Sequence, residues 1–420
     1  MVRVFKFGGA LMKDVAGIKK VTSIIEEYSC EPMVVVVSAL GKTTNKLETI
    51  LKLSLEKKEN ALQQAYFELK SKHIAIINQL FENGDNTISI IEGQFRDLWD
   101  KLQEEFTDPY FAYDQTVSYG EQFSSTIVAN YLQERNIAIK NIDARKIIFT
   151  NSSYTDASIN WKFTAKAIDT IILPCLNDNK IALTQGFIGA DDKGCTTTLG
   201  REGSDFTAAI LANVLNADNL TIWKDVPGLM NADPNRFKEA IKLENISYHE
   251  AIELAFYGAS IIHPKTIQPL KEKNIPLNVK SFDNPASKPS VISNDNSNDE
   301  MIHKLIIKNN QVLVSITSKN LDFISEENLK MIFECFSRNK IHINLMQNSA
   351  VSFSVCFNYT QLKVEALIKD LEDNFIIRYN TLLELITIRH YSEDLINHHI
   401  SGRKVFLEQK SRLTVQILLK

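Results

Sequence analysis

Apolar residues come in two textures along this chain. Through the first two-thirds they form short continuous runs, such as "VRVFKF" (2–7) and "PMVVVVSAL" (32–40). Between them lie stretches such as "VAGIKKVTSIIEEY" (15–28), whose apolar spacing is helical. Continuous apolar strands alternating with helices predict an α/β fold with a parallel-rich sheet buried on both faces. Residues 45–106 instead keep a sustained helical period, clearest in "NKLETILKLSLEKKENALQQAYFELKSKHIAIINQLF", where Asn45 and Glu48 fit a capping box. Strand signals return at "KNIDARKIIF", "IALTQGFIG", "NLTIWKDV" and "IPLNVKSF", with helices between.

The texture changes near 284–300, where "NPASKPSVISNDNSNDE" is polar and carries two prolines. Such a stretch predicts a boundary: one domain over 1–290, a linker over 291–302, and a second region over 303–420. Beyond the linker the rhythm is "VLVSITS", "SEENLKMIFECFSRNKI", "HINLMQ", "AVSFSVCFN", "LKVEALIKDLEDN" and "FIIRYN". That βαββαβ order predicts a ferredoxin-like α+β unit. "LLELITIRHY", "VFLEQ" and "LTVQILLK" open a second unit that falls short of the full set.

Composition narrows the function by exclusion. The 420 residues include 47 basic and 51 acidic ones, for a net charge of −4, which does not favour nucleic acid or an anionic membrane as partner. The five cysteines are scattered without metal-ligand or paired spacing, as expected of reduced thiols, and no metal-ligand set is assigned. The amino terminus enters a strand at once, and no apolar run approaches the roughly 20 residues of a membrane helix, so a cytoplasmic protein is expected.

Three stretches carry candidate chemistry. Gly41-Lys42-Thr43 after a strand outlines a P-loop, but the glycine required five residues earlier is Val36, so that motif is incomplete. In "FKFGG", Lys6 stands between two strand phenylalanines and Gly8-Gly9 follow. Glycine amides approach an anion closely and a lysine adds a point charge, which makes a phosphate cradle. The bland alternative is an edge-strand lysine before an ordinary turn. In "TQGFIGADDKGCTTTLGREGSDFTAAILANVL" (184–215), Ser204 fits a helix N-cap and Asp205 the first turn. Capping leaves Arg201 unexplained, and a guanidinium beside a helix amino terminus makes a good carboxylate receptor.

Taken together, "KFGG" (6–9), "SALGKTTN" (38–45), "SYGEQFS" (118–124), "TTTLGREGSD" (196–205), "IWKDVPGLMNADP" (222–234) and "FYGASIIHPKTI" (256–267) resemble aspartokinases. These are amino acid kinases that phosphorylate the side-chain carboxylate of aspartate, and the resemblance leads to the expectation of the form without a fused homoserine dehydrogenase. The two C-terminal units resemble ACT domains. The resemblance implies ATP and Mg²⁺ as cofactors and L-aspartate as substrate. It implies catalytic roles for Lys6 and Asp205, and substrate contacts from Ser38, Thr44, Glu121, Arg201 and Ser204. Nucleotide contacts would come from Lys6, Gly8, Gly9, Lys224, Asp225, Met230, Arg236 and Ser260. Ser118-x-x-Glu121 also fits a capping box, so Glu121 has two readings. His263-Pro264 reads as a structural turn, Trp223 as sheet packing and Cys195 as a loop residue.

The chain also departs from the family. Leu11 stands where a hydroxyl residue is usual, Glu202 where glycine is common, Ser260 at a customary lysine, and Asn235 at a customary arginine. A catalytically silent, amino-acid-sensing homologue is therefore the alternative reading. In the regulatory region the resemblance implies a homodimer through the ACT units, with lysine or threonine as candidate effector. Asn344, Asn348 and Ser349 are the expected effector contacts. Ala350 lacks the carboxylate of some lysine-sensitive members, and Glu326-Glu327 replace a glycine-containing turn, so weak lysine inhibition is expected.

Overall fold

The computed structural model describes residues 2–259, 262–320 and 322–420. The chain divides into two compact units. The described residues of the first lie within 1–229, 242–252 and 260–297, and those of the second within 230–241, 253–259 and 298–420.

From the amino terminus the elements are β1 (Arg3–Phe7), α1 (Val15–Glu27), β2 (Met33–Val37), α2 (Thr43–Leu55), α3 (Glu59–Leu80), α4 (Asp85–Leu102), α5 (Pro109–Val117), α6 (Tyr119–Glu134) and β3 (Ile139–Ile142). They continue as α7 (Trp161–Asn177), β4 (Ile181–Gln185), the hairpin β5 (Ile188–Ala190) and β6 (Thr196–Thr198), α8 (Gly203–Val214) and β7 (Asn219–Lys224). Two-residue strands β8 (Leu229–Met230) and β9 (Lys242–Leu243) precede β10 (Asn245–Ser247), α9 (Tyr248–Tyr257), α10 (Pro264–Glu272), β11 (Leu277–Ser281) and β12 (Ser290–Ser293).

Eight of these strands form one sheet in the order β10-β12-β11-β7-β1-β2-β4-β3. All neighbours are parallel except β11 and β12. Every residue of "MVVVV" in β2 is buried, as a central strand covered on both faces requires. Phe5 and Phe7 face the main core, where Phe7 stacks on Trp223 with ring centroids 5.9 Å apart. Alternation therefore turns Val4 and Lys6 to the opposite face.

Several local expectations change. Asn45 is not a cap, because α2 starts at Thr43 and Asn45 lies in its first turn. "KNIDARKIIF" yields only the short β3 before a turn at Ala144–Lys146. "IALTQGFIG" is two strands, broken where Phe187 takes a positive φ of 72°. The stretch read as a linker from 291 begins inside β12.

The second unit contains β13 (Lys304–Ser318), α11 (Glu326–Arg338), β14 (Ile343–Asn348), β15 (Ser352–Asn358), α12 (Gln361–Leu371), β16 (Phe375–Arg389), α13 (Glu393–Ile400), β17 (Val405–Lys410) and β18 (Thr414–Leu419). They form an antiparallel sheet in the order β14-β15-β13-β16-β18-β17. β13 starts eight residues before "VLVSITS" and β16 fuses two expected strands. Asn310 and Leu382 adopt positive φ inside them, and β13–β16 pairing shifts register near 308–313. The early half of β13 pairs with the late half of β16, so it supplies a fourth strand to the unit that the sequence left short. The result is a pair of interleaved ACT-like units.

Candidate active site

Lys6 projects from β1 toward α8, the helix that packs on that face of the sheet. Asp205 is the third residue of α8, and its Oδ1 lies 2.5 Å from Lys6 Nζ. Both are more than nine-tenths buried. A lysine inside a strand is tolerated here because a carboxylate meets it, and the positive end of α8 favours the ionised form of that carboxylate.

A cavity of about 780 Å³ opens over this pair. Besides Lys6 and Asp205 it is lined by Gly9, Ser38, Thr44, Glu121, Arg201 and Ser204, among others. It so gathers all the catalytic and substrate positions expected from sequence but, among the described residues, only Lys6 and Gly9 of the nucleotide positions. Gly9 is needed for close approach: a Cβ there would lie 2.2 Å from the Ala39 carbonyl oxygen, and Gly41 N–H donates to Gly9 O at 2.9 Å. The 8–9 and 38–41 turns thus interlock beneath the cavity. A Cβ on Gly8 would sit 3.5 Å from Lys6 Nζ, in the space next to the ammonium.

The two polar walls differ in character. Glu121 on α6 is 3% exposed, and burial pushes its carboxyl up to about 8. One oxygen accepts the Ala39 N–H at 3.3 Å while Oε2 has no hydrogen-bond partner. The capping box with Ser118 does not form, because the Ser118 hydroxyl donates to Gln115 O instead. Opposite, Arg201 is exposed and makes no hydrogen bond or ion pair among the described residues. Such a cavity offers a buried carboxyl for an ammonium, an open guanidinium for a carboxylate, and a fixed ammonium for phosphate.

Ser204 lines the cavity but is not the N-cap. The chain enters α8 through Glu202 in a left-handed conformation, and Ser204 lies in the first turn against Gly186. Leu11 is buried in the core, so the side chain at that position does not line the cavity. His263 caps α10 by accepting the Lys265 N–H, and Cys195 donates its N–H to Asp191 in a loop.

Other expected positions are not brought to the cavity. Lys224 and Asp225, at and just beyond the end of β7, are not among its lining residues. Met230 and Arg236 belong to the second unit, where Arg236 pairs with Glu384 at 2.8 Å. Ser260 lies outside the described residues. Asn344 is committed to a polar network, accepting from Lys308 Nζ at 2.8 Å and donating to Gln311 and Asn358. Ser349 bonds to Ser352 across a turn, and Asn348 ends β14. Sequence reasoning missed Asp114, which is fully buried and accepts from the N–H groups of Thr155 and Thr198 and from the Thr198 hydroxyl. It ties α5, which contributes Pro109, Tyr110 and Tyr113 to the wall, to the strand preceding Arg201. The Asp108-Pro109 start of α5 was its only local signal.

Residues 1–281 match the model of the amino acid kinase family. The chain is 35% identical over 247 residues to the lysine-sensitive aspartokinase 3 of Escherichia coli, a stretch covering 59% of this chain and 55% of that protein. It thus spans little more than half of that relative's length. It is 28% identical over 423 residues to the chloroplastic aspartokinase 3 of Arabidopsis thaliana, covering 98% of this chain and 74% of that one. Among solved structures, E. coli aspartokinase III with aspartate and ADP superposes with a TM-score of 0.83 at 26% identity, covering 100% of this chain and 96% of that one. The same enzyme with lysine and aspartate gives 0.85 at 26% identity, over 99% and 95%.

Proposed function

The chain belongs to the amino acid kinase family, and on that premise we propose that it transfers the γ-phosphoryl group of ATP to the side-chain carboxylate of L-aspartate. The observation that carries this is the convergence, in one cavity, of the Lys6–Asp205 pair, the unpartnered Glu121 oxygen and the open Arg201 guanidinium. An amino acid with two carboxylates and one ammonium matches those groups. The aspartate and ADP named with the similar E. coli enzyme support the choice. The intact Lys6–Asp205 pair speaks against a catalytically silent sensor.

A carboxylate is ionised at neutral pH and needs no general base to attack phosphorus. Its oxygen forms the new bond to the γ-phosphorus as the bond to the β–γ bridging oxygen breaks, leaving ADP and 4-phospho-L-aspartate. Catalysis then rests on positioning and charge neutralisation. Lys6 neutralises charge on the transferred group and Asp205 fixes the direction of its ammonium. Arg201 holds one substrate carboxylate, Glu121 holds the ammonium, and Ser38, Thr44 and Ser204 complete the substrate wall. Gly8 and Gly9 admit the phosphates close to backbone amides. Lys224, Asp225, Met230, Arg236 and Ser260 are assigned to the nucleotide from family resemblance.

No group of three or more acidic, histidine or cysteine side chains suited to a metal occurs among the described residues. A Mg²⁺ here would be held mainly by nucleotide phosphates and water, with Asp205 able to orient a bound water, and would supply further charge neutralisation. We further assign catalysis to residues 1–290 and regulation to 303–420, the latter also joining two chains in a cytoplasmic homodimer. No helix among the described residues is long and apolar enough to cross a membrane.

Hydroxamate trapping of the acyl phosphate tests the reaction directly. Lys6→Ala should lower turnover by about a thousandfold while circular dichroism stays unchanged. Near-normal turnover in that folded variant would overturn the assignment.

A further inference from the structure

Glu202 stands on the turn that carries Arg201, and simple electrostatics sets its charge against an anionic substrate. The structure gives that charge another occupation. Glu202 Oε2 accepts the His263 N–H at 2.9 Å, at the amino-terminal end of α10. A carboxylate is stabilised at such a helix end by the exposed N–H groups and the helix dipole. Two residues further on, Lys265 pairs with Asp156, the neighbour of Thr155 on another part of the cavity rim. The first turn of α10 is therefore tied to the 200–203 turn and to the 155–156 loop.

The backbone fits this role. Glu202 holds φ 54° and ψ 28°, a left-handed conformation seldom adopted by residues with a side chain. That conformation aims successive side chains differently: Glu202 reaches the α10 end, while Arg201 stays exposed at the cavity. Although a carboxylate is its immediate neighbour in sequence, Arg201 forms no ion pair with it. The His263 amide keeps that carboxylate occupied.

We propose that Glu202 is a positioning residue, whose bond to the His263 N–H holds the Arg201 turn in place and leaves the guanidinium free for a substrate carboxylate. This rests on the reading of the cavity as an aspartate site. It opposes the electrostatic expectation that any removal of the Glu202 charge improves substrate affinity.

Two variants separate these effects. Glu202→Gln removes the charge but keeps an oxygen that can accept the same N–H, whereas Glu202→Gly removes the tie and suits the left-handed backbone, so it should fold. In Glu202→Gly the aspartate KM should rise about tenfold, with kcat and the ATP KM within about twofold of the parent. Amide hydrogen exchange at His263 should accelerate in the same variant. Glu202→Gln should keep an aspartate KM within about twofold of the parent. An unchanged or lowered aspartate KM in Glu202→Gly, or equal effects of the two substitutions, overturns the proposal. If the parent shows no aspartate-dependent turnover, the functional reading itself fails. Exchange at His263 then still reports on the tie, and unchanged exchange in Glu202→Gly overturns that as well.

Discussion

A carboxyl buried as deeply as Glu121 keeps its proton well above the usual carboxylate range, up to about 8, because burial penalises its charged form. A substrate ammonium beside it reverses that preference. Aspartate binding near neutral pH should therefore release a proton from Glu121, and aspartate affinity should strengthen as pH rises toward 8. Calorimetry in buffers of different ionisation enthalpy measures the released proton directly. In Glu121→Gln the release should vanish and the pH dependence flatten; proton release that persists in the variant would assign the effect elsewhere. Arg201 supports a sharper split of kinetic constants. Arg201→Lys keeps the charge but loses the planar fork, so the aspartate KM should rise about tenfold while that for ATP holds. A rise in the ATP KM instead would place Arg201 with the nucleotide. Lys6 and Asp205 each stood out because each sits in a short motif shaped by glycine or helix-start chemistry, whereas the contact between them joins distant segments and is visible only in the fold. Asp114 did not stand out. Its partners are 41 and 84 residues away, so no local pattern announces them.

At the scale of elements, apolar period placed the sheet strands and the helical insert, whereas ends and breaks were misplaced. A helix start depends on the backbone of the preceding loop, which explains why Ser204 and Asn45 fall inside helices rather than before them. "KNNQ" in β13 reads as a break because its residues are polar, yet the strand continues through a bulge that turns Asn310 left-handed. The insert also holds a titratable group with no role in the cavity. His73 on α3 is fully buried against Phe95 and Phe123, and its Nδ1–H donates to Leu69 O at 2.8 Å. Burial pulls its pKa down from 6.5 to about 4. The unfolded chain then binds a proton more readily than the folded one. Stability from this site is complete above 6.5 and is lost as pH falls toward 4, by about 3 kcal/mol in all. Urea unfolding from pH 7 to pH 4 should show that loss, and His73→Leu should remove it. An equally steep acid slope in the variant would point to other groups.

At the scale of the whole molecule, composition pointed to a division near 290, whereas the compact units change over between Ser297 and Asn298 and are not consecutive in sequence. Segments 230–241 and 253–259 fold with the C-terminal region, through bonds such as Leu305 N–H to Asn231 O and Arg389 to Glu253. A chain ended at residue 300 should therefore aggregate or lose activity, because both segments are left without their partners. The oligomer is better tested on the full chain. β14 and β17 are the edges of the C-terminal sheet, and an exposed edge strand is a template for pairing with a second copy. β14 carries Met346 half exposed, a side chain suited to a contact between copies. Light scattering should give a dimer for the parent, and Met346→Lys should shift it toward monomer without unfolding it. A parent that is monomeric at all concentrations would defeat the dimer. The same strand bears on inhibition. The Asn344 amide is already satisfied by Lys308, Gln311 and Asn358, and the Ser349 hydroxyl by Ser352, so neither is free to receive an amino acid without breaking an internal bond. A lysine ammonium placed there also finds a methyl group at Ala350 rather than a carboxylate, and desolvating an unpaired charge costs several kcal/mol. Lysine should consequently inhibit only weakly, even though the similar E. coli aspartokinase 3 is named lysine-sensitive. A titration of kinase activity decides this: half-inhibition at micromolar lysine would show that the Asn344 network rearranges to admit the ligand.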